Sequence, residues 1–422
     1  MIERQKNFFV IGDIHGKVGY HLGDEAMFIS AIDYMARILP DYSLIVLAWS
    51  PDNVKSLYNV QTVLRYASHN KLKWFVVYIY FLLNIIFYKI TKRWLIFPGF
   101  PTLEAIQAIS RSSFILHTGS GTWNTAGESP WWLFDILIYL WCSSIMNIPV
   151  LIVSQSFGPF SGKSIQNRFV AWLAKKSLGL PNIKLITVRD QIWSFDFLRR
   201  IRRTHQTISY TLDDAIWLRP SSNIETDRFL NRYNINENTN FIIVSLSKIL
   251  SDSTLLLFSN AFSQFLKKHS DYRLVFIPHV FPNTDIIVHR KLIEHISVDE
   301  RAILVEEICE ARLLKSICAD AKAVVSSRYH GIVIGASVGL PGIAIIPNEE
   351  YRRKMLGLID ATKANNIFTI DINCEYDELV SLLDKIISLP RLKDLWFLTG
   401  EPRNQLHNQY LIQKTLIVNN IK

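Results

Sequence analysis

Two kinds of segment alternate along the chain. Short, nearly continuous apolar runs rich in Ile, Val, Leu and Phe are separated by longer stretches whose apolar positions recur every three or four residues. The runs suit strands buried on both faces, and the stretches suit amphipathic helices. In the first half the predicted strands are 8–11, 44–48, 114–117, 150–153, 185–188 and 208–211. The predicted helices between them are 24–39, 53–67, 130–146, 164–176 and 191–203. The segment 219–240, RPSSNIETDRFLNRYNINENTN, is polar and rich in turn formers, and reads as a linker. The alternation then restarts, with strands at 241–245, 274–278, 303–305, 323–326 and 342–346 and helices at 254–268, 308–319 and 351–358.

This order predicts an α/β chain of two Rossmann-like domains, 1–218 and 241–395, with a cleft between them and a partly helical tail at 396–422 suited to packing back on the first domain. Ligands of open α/β sheets sit beyond the carboxyl ends of the strands. Polar residues at predicted strand ends are therefore the candidates for chemistry.

The stretch VVSSRYHGIVIGA stands out among them. Ser327, Arg328 and His330 lie between two apolar runs, and Gly331 follows as the predicted start of a helix whose amides face an anion. A guanidinium fork, an imidazole and a helix start together suit a phosphate site that also delivers a proton. Tyr351-Arg352-Arg353-Lys354, after the next strand, supplies either a cation that closes over the same anion or a solvated helix face. Near the N-terminus, Gly23 allows close approach, and Asp24 is either a helix cap or a base for a substrate hydroxyl. Gln155, at the end of the fourth predicted strand, suits a sugar hydroxyl or a carboxylate. Arg189 precedes Asp190, an expected helix cap; it reads either as an anion ligand or as half of a surface pair. Thr118-Gly119-Ser120-Gly121 is a small-residue turn. Gly12-Asp13-Ile14-His15-Gly16 looks like the opening motif of a metallophosphatase, but no partner motifs follow it.

Composition narrows the picture in three places. The 422 residues exceed what one core usually serves, and 49% hydrophobic with 20% charged residues excludes a disordered chain. The net charge of +9 suits anionic partners. No basic-aromatic motif marks a nucleic-acid binder, and Cys142, Cys309, Cys318 and Cys374 lack metal-ligand spacing, so neither nucleic acid nor a structural metal is expected. The N-terminal MIERQKNFFVIGD lacks the apolar core of a secretory signal, which makes a cytoplasmic location the expectation. WFVVYIYFLLNIIFY, 74–88, is shorter than a spanning helix needs. With Lys71, Lys73, Lys89, Lys92 and Arg93 around it, it reads either as a helix lying on the cytoplasmic membrane face or as a buried core helix.

Taken together, GDEA, SQSFGP, VRDQ with a later Ser, SSRYHG followed by VGLPGIAI, and the Tyr351/Lys354 pair resemble the polysaccharide pyruvyl transferase family over about residues 20–360. The resemblance implies a glycosyltransferase-B-like fold. It also implies transfer of a pyruvyl group from phosphoenolpyruvate to a saccharide, free or lipid-linked, with no further cofactor. Arg189, Arg328 and His330 then belong to the donor, and Lys354 matches the family's later lysine. His330 is the expected acid that protonates the donor's methylene carbon, and Asp24 the expected base. Two departures concern the acceptor side: Leu22 stands where the family usually has Asn, and Asp213-Asp214 replaces the usual Asp-Pro. The competing readings are a nucleotide-sugar glycosyltransferase of the same fold, with Glu349 or Glu350 on the ribose, and a non-catalytic membrane-associated assembly protein.

Overall fold

The computed structural model describes residues 6–17, 19–65, 71–95, 102–119, 121–125, 131–160, 162, 164–201, 205–247, 251–282, 284–296, 299–392 and 411–416. The chain divides into two compact units. Unit 1 is Met1–Gly16, Ala31–Thr211 and His407–Lys422; unit 2 is Lys17–Ser30 and Leu212–Leu406.

Unit 1 holds strands β1 (Asn7–Ile11), β2 (Ser43–Ala48), β3 (Gln61–Leu64), β4 (Phe114–His117), β5 (Val150–Gln155), β6 (Ile183–Val188) and β7 (Thr207–Tyr210). They form one seven-stranded sheet in the order β3-β2-β1-β4-β5-β6-β7, every pair parallel. Unit 2 holds β8 (Asn240–Ser245), β9 (Tyr272–Phe276), β10 (Ala302–Leu304), β11 (Ala323–Ser326), β12 (Gly342–Ile346) and β13 (Ile367–Asp371). Its sheet runs β10-β9-β8-β11-β12-β13, again all parallel. Both orders are doubly wound, so each unit is Rossmann-like and both sheets are covered on their faces. The central strands β1, β4 and β5 are buried at every position, which is why they read as continuous apolar runs.

Several elements differ from the sequence reading. The predicted helix 53–67 is a shorter helix, Pro51–Tyr58, that stops where Asn59 takes a left-handed conformation (φ 51°), and edge strand β3 follows. Strand β13 and the helices Thr102–Arg111, Thr284–His295 and Tyr376–Ser388 are additions. The stretch 219–240 is no bare linker. It carries the helix Asn223–Arg232, closed by a capping box between Ser222 and Glu225, with Thr226, Phe229 and Leu230 buried. The chain passes from unit 1 to unit 2 earlier, between Thr211 and Leu212, and segment 17–30 also belongs to unit 2.

The 74–88 stretch lies within a helix, Lys71–Thr91, whose described side chains are buried on one side and exposed on the other, so it is not a fully buried core helix. Tyr80 and Asn84 are buried, Tyr80 Oη donates to the Leu95 carbonyl at 2.6 Å, and Leu95 N donates to Asn84 Oδ1 at 2.7 Å. None of the described helices is long and apolar enough to cross a membrane.

Candidate functional site

Within unit 2, an early segment of the chain meets the strand ends of the sheet. Leu22 N donates to the His279 carbonyl (2.9 Å), Phe281 N donates to the Tyr20 carbonyl (3.0 Å), and His21 forms an antiparallel bridge with Val280. This anchors the start of the helix Leu22–Ile38 beside the end of β9. Asp24 is therefore the third residue of that helix and not its cap. Its Oδ2 lies 2.6 Å from His21 Nδ1.

His330 rests on the same helix start. A Cβ at Gly23 would lie only 1.8 Å from His330 Nδ1. On the far side of the ring, Nε2 faces Asp213 Oδ2 at 3.5 Å and has no hydrogen-bond partner among the described residues. Asp213 is itself fixed: its Oδ1 accepts from Ala215 N (2.9 Å) as cap of the short turn Asp214–Trp217. Lys315 Nζ holds that turn by donating to the Ile216 carbonyl at 2.7 Å. Burial lowers the Lys315 amine to about 7.

Arg328 caps the helix Tyr329–Ser337 in extended conformation, and the helix begins two residues before Gly331. Gly331 is needed for packing: a Cβ there would lie 2.5 Å from Ser326 Oγ and 3.3 Å from His279 Cε1. The Arg328 guanidinium grips Asp285 through both Nε (3.1 Å) and Nη2. Asp285 Oδ2 also accepts from His279 N and Val280 N, each at 3.0 Å. Burial opposes the charge on Asp285, yet the Arg328 guanidinium holds its carboxyl below the usual carboxylate range. The same pairing, against burial, raises Arg328. Arg328 is thus a rigidly oriented cation whose charge Asp285 balances. Burial, with Arg328, His330 and His21 nearby, pushes His279 well below the imidazole range, so it is neutral at physiological pH.

The remaining predicted residues of unit 2 are engaged elsewhere. Ser327 is fully buried; its Oγ accepts from Ser247 N (2.8 Å), which ties β11 to β8. Lys354 Nζ pairs with Glu350 Oε1 at 2.5 Å, one turn back on its own helix.

Arg189 and Gln155 lie in unit 1, at the carboxyl ends of β6 and β5. Arg189 Nε donates to Ser156 Oγ at 2.7 Å, and Arg189 N donates to the Gln155 carbonyl at 3.1 Å. Gln155 is fully buried and its amide donates to the Thr118 carbonyl, so it clamps the loop after β4. Asp190 caps the next helical turn through Trp193 N (3.0 Å) and Ser194 N (2.6 Å), as expected, and Phe157 N donates to Ser194 Oγ at 2.8 Å. The SQSFGP and VRDQ segments therefore form one hydrogen-bonded assembly.

Sequence reading singled out neither Asp285 nor His279, and met Asp213 only as a departure from a family pattern. It met a second cluster, at the ends of β1, β2 and β3, only through Gly12 and Asp13. There Arg65 Nε donates to Asp135 Oδ2 (2.6 Å), and Nη1 to the Gly12 carbonyl (3.0 Å). Its guanidinium lies 4.4 Å from the Trp49 ring centre. Trp49 Nε1 donates to Asp13 Oδ1 at 2.7 Å, and Trp132, 43% exposed, stands beside Trp49 with ring centres 5.1 Å apart.

A family profile described as polysaccharide pyruvyl transferase matches residues 21–349. The chain belongs to that family. The match takes in Gly23, Asp24, Gln155, Arg189, Asp213, Ser327, Arg328, His330 and Gly331; Gly12 and Asp13 precede it, and Lys354 follows it. No curated protein sequence matches the chain. Solved structures share its fold at low identity. The UDP-GlcNAc 2-epimerase of Methanocaldococcus jannaschii superposes with a TM-score of 0.60 at 10% identity, covering 95% of this chain and 99% of that one. S. aureus MnaA, solved with UDP, gives 0.57 at 12%, covering 99% and 96%. Anabaena Alr3699/HepE, in complex with UDP and glucose, gives 0.54 at 13%, covering 99% and 98%. The pyruvyl transferase chain thus has a glycosyltransferase-B-like α/β fold.

Proposed function

We propose that this pyruvyltransferase takes its pyruvyl group from phosphoenolpyruvate and sets it on a saccharide, free or lipid-linked, as a cyclic ketal. The observation that carries the reading is His330: an imidazole seated on Gly23, with Nε2 facing Asp213 and otherwise unpartnered. In the reaction, His330 gives a proton to the donor's methylene carbon, and the adjacent carbon becomes an oxocarbenium. One sugar hydroxyl attacks that carbon and loses its proton. Phosphate leaves with the C–O bond electrons, and a second hydroxyl closes the ring, losing its proton in turn. The sum is one phosphoenolpyruvate and two hydroxyls converted to one ketal and one phosphate.

Asp213 aligns the imidazole. Arg328, held by Asp285, offers the donor the edge of its fork that Asp285 leaves, and Arg189, in unit 1, is a cation suited to phosphate or carboxylate. Asp24, paired with His21, is the base for an acceptor hydroxyl. Gly23 and Gly331 make room, while Ser327, Gln155 and Lys354 act by position. In unit 1, the exposed ring of Trp132, beside Trp49, suits a sugar ring. The second reading, a nucleotide-sugar donor, draws on the UDP named with the MnaA and HepE structures. Mass spectrometry of the surface glycan from a deletion strain separates the two. Loss of a pyruvyl ketal supports the first reading, and loss of a whole sugar residue with no change in ketals supports the second.

A further inference from the structure

We infer that unit 1 docks on an anionic lipid bilayer through two apolar stripes, one on the helix Lys71–Thr91 and one on the helix Ile165–Ser177. This inference rests on surface features of unit 1 and is independent of the donor.

On the first helix, Val76, Ile79, Leu83, Ile86 and Ile90 are 48%, 41%, 53%, 54% and 76% exposed. Their spacing of three and four residues puts them on one face. The opposite face is pinned: Tyr80 and Asn84 are buried, and Tyr88 stacks on Trp94 with ring centres 4.2 Å apart. The helix cannot roll its apolar stripe inward. On the second helix, Ile165, Phe169 and Trp172 share a face and are 79%, 47% and 54% exposed. Phe169 stacks on Trp172 (ring centres 6.1 Å apart) and lies tilted against Phe134 (6.2 Å), so the aromatic patch is preformed. Both helices flank the helix Trp131–Ile145. Single exposed aliphatics are ordinary on soluble proteins, but aligned stripes on two neighbouring helices are not.

Charge selects the occupant. The chain contains no Asp or Glu from Asn53 to Leu103, and none from Ile136 to Arg189. Lys89, Lys92 and Arg93 are exposed at the end of the first stripe, and Arg168, Lys175 and Lys176 are exposed along the second helix. A second copy of the chain would bring cations against cations with no acid to answer them. An anionic leaflet satisfies both features, taking aliphatic and aromatic side chains at its acyl boundary and cations at its headgroups. The helix Lys71–Thr91 would lie in the interface, since it is not apolar enough to cross.

Flotation of the full-length protein with phosphatidylglycerol/phosphatidylethanolamine vesicles tests this against phosphatidylcholine vesicles. Binding to the anionic vesicles should be at least about tenfold stronger and should weaken with salt. The double variants Leu83→Glu/Ile86→Glu and Phe169→Ser/Trp172→Ser should each lose flotation without a change in melting temperature. All four cysteines are buried, so Ile79→Cys can be labelled selectively with a polarity-sensitive fluorophore. Its emission should shift to the blue on anionic vesicles, a readout that does not depend on how the double variants fold. Equal flotation with phosphatidylcholine, or unchanged emission from the label, would overturn the inference. So would a dimer that Leu83→Glu/Ile86→Glu dissolves, in a protein that no vesicle floats.

Discussion

The His330 imidazole lies against the Cα of Gly23, so closely that a single methyl group on Gly23 would occupy the ring's own space. Gly23→Ala must therefore displace His330 or the helix that carries Gly23. Turnover should fall at least about a hundredfold, the scale of a misplaced catalytic group. Steady-state kinetics beside a thermal melt checks it. A near-normal rate would mean that His330 does not act from this position.

Asp213 reaches His330 with one oxygen and caps a turn with the other. Asp213→Asn keeps an oxygen for the cap and removes the charge facing the imidazole. The turnover number should drop about tenfold or more with the donor KM little changed. His330→Ala should abolish transfer while sparing donor binding. An Asp213→Asn defect confined to KM would reassign Asp213 to substrate binding.

Asp285 and Arg328 form a buried pair in which each satisfies the other. Asp285→Ala strands the guanidinium and two backbone amides, and should cost about 3–5 kcal/mol of stability. Arg328→Lys keeps the charge and loses the fork, so donor affinity should weaken with a smaller stability loss. Chemical denaturation and donor titration of the two variants separate these effects. Unchanged donor affinity in Arg328→Lys would remove Arg328 from the site.

Buried neutral histidines make the fold acid-sensitive. Burial pushes His289 down to about 4 from 6.5, and its Nε2 accepts from Leu246 N at 2.9 Å, which requires the neutral ring. Burial lowers His117 to about 4 as well, where Trp123 Nε1 donates to its Nε2 at 2.9 Å. Between pH 6.5 and 4 the unfolded chain binds more protons than the folded one, so stability falls as pH drops through that window. Each histidine accounts for roughly 3 kcal/mol of the loss. His289→Gln, which keeps an acceptor for Leu246, should flatten the fall by about one proton's worth in denaturant melts taken from pH 7 to 4.

Lys315 extends the same trend to alkaline pH. Its amine titrates at about 7 when folded against 10.5 when unfolded, so from pH 7 to 10.5 the unfolded chain again holds the extra proton and stability rises with pH. Lys315→Met should remove that rise. It should also loosen the Asp214–Trp217 turn, which denaturant melts at pH 7 and 9.5 and a lower turnover would both register.

Most of the scaffold was legible because its central strands are buried on both faces. Phe114 to Leu116 and Ala323 to Ser326 are apolar or small throughout, and the predicted limits of both strands coincide with the observed ones. Edge strand β3, Gln61–Leu64, is only half covered and carries two polar residues, so it had no apolar run to announce it. The site was legible residue by residue and not as contacts. His330 stood out as an imidazole between apolar runs, and Gly23 as part of a weak motif. That one sits on the other depends on segment 17–30 joining unit 2, a long-range event that local periodicity does not encode. Asp285 escaped notice for the same reason: nothing around it in the sequence shows that Arg328 folds back onto it.

Calorimetric titration of the purified protein with phosphoenolpyruvate, UDP-glucose and UDP-N-acetylglucosamine tests the donor most directly. Saturable binding of phosphoenolpyruvate, weakened by Arg328→Lys and absent for both UDP-sugars, is the predicted result. Binding of a UDP-sugar with no heat from phosphoenolpyruvate would contradict it.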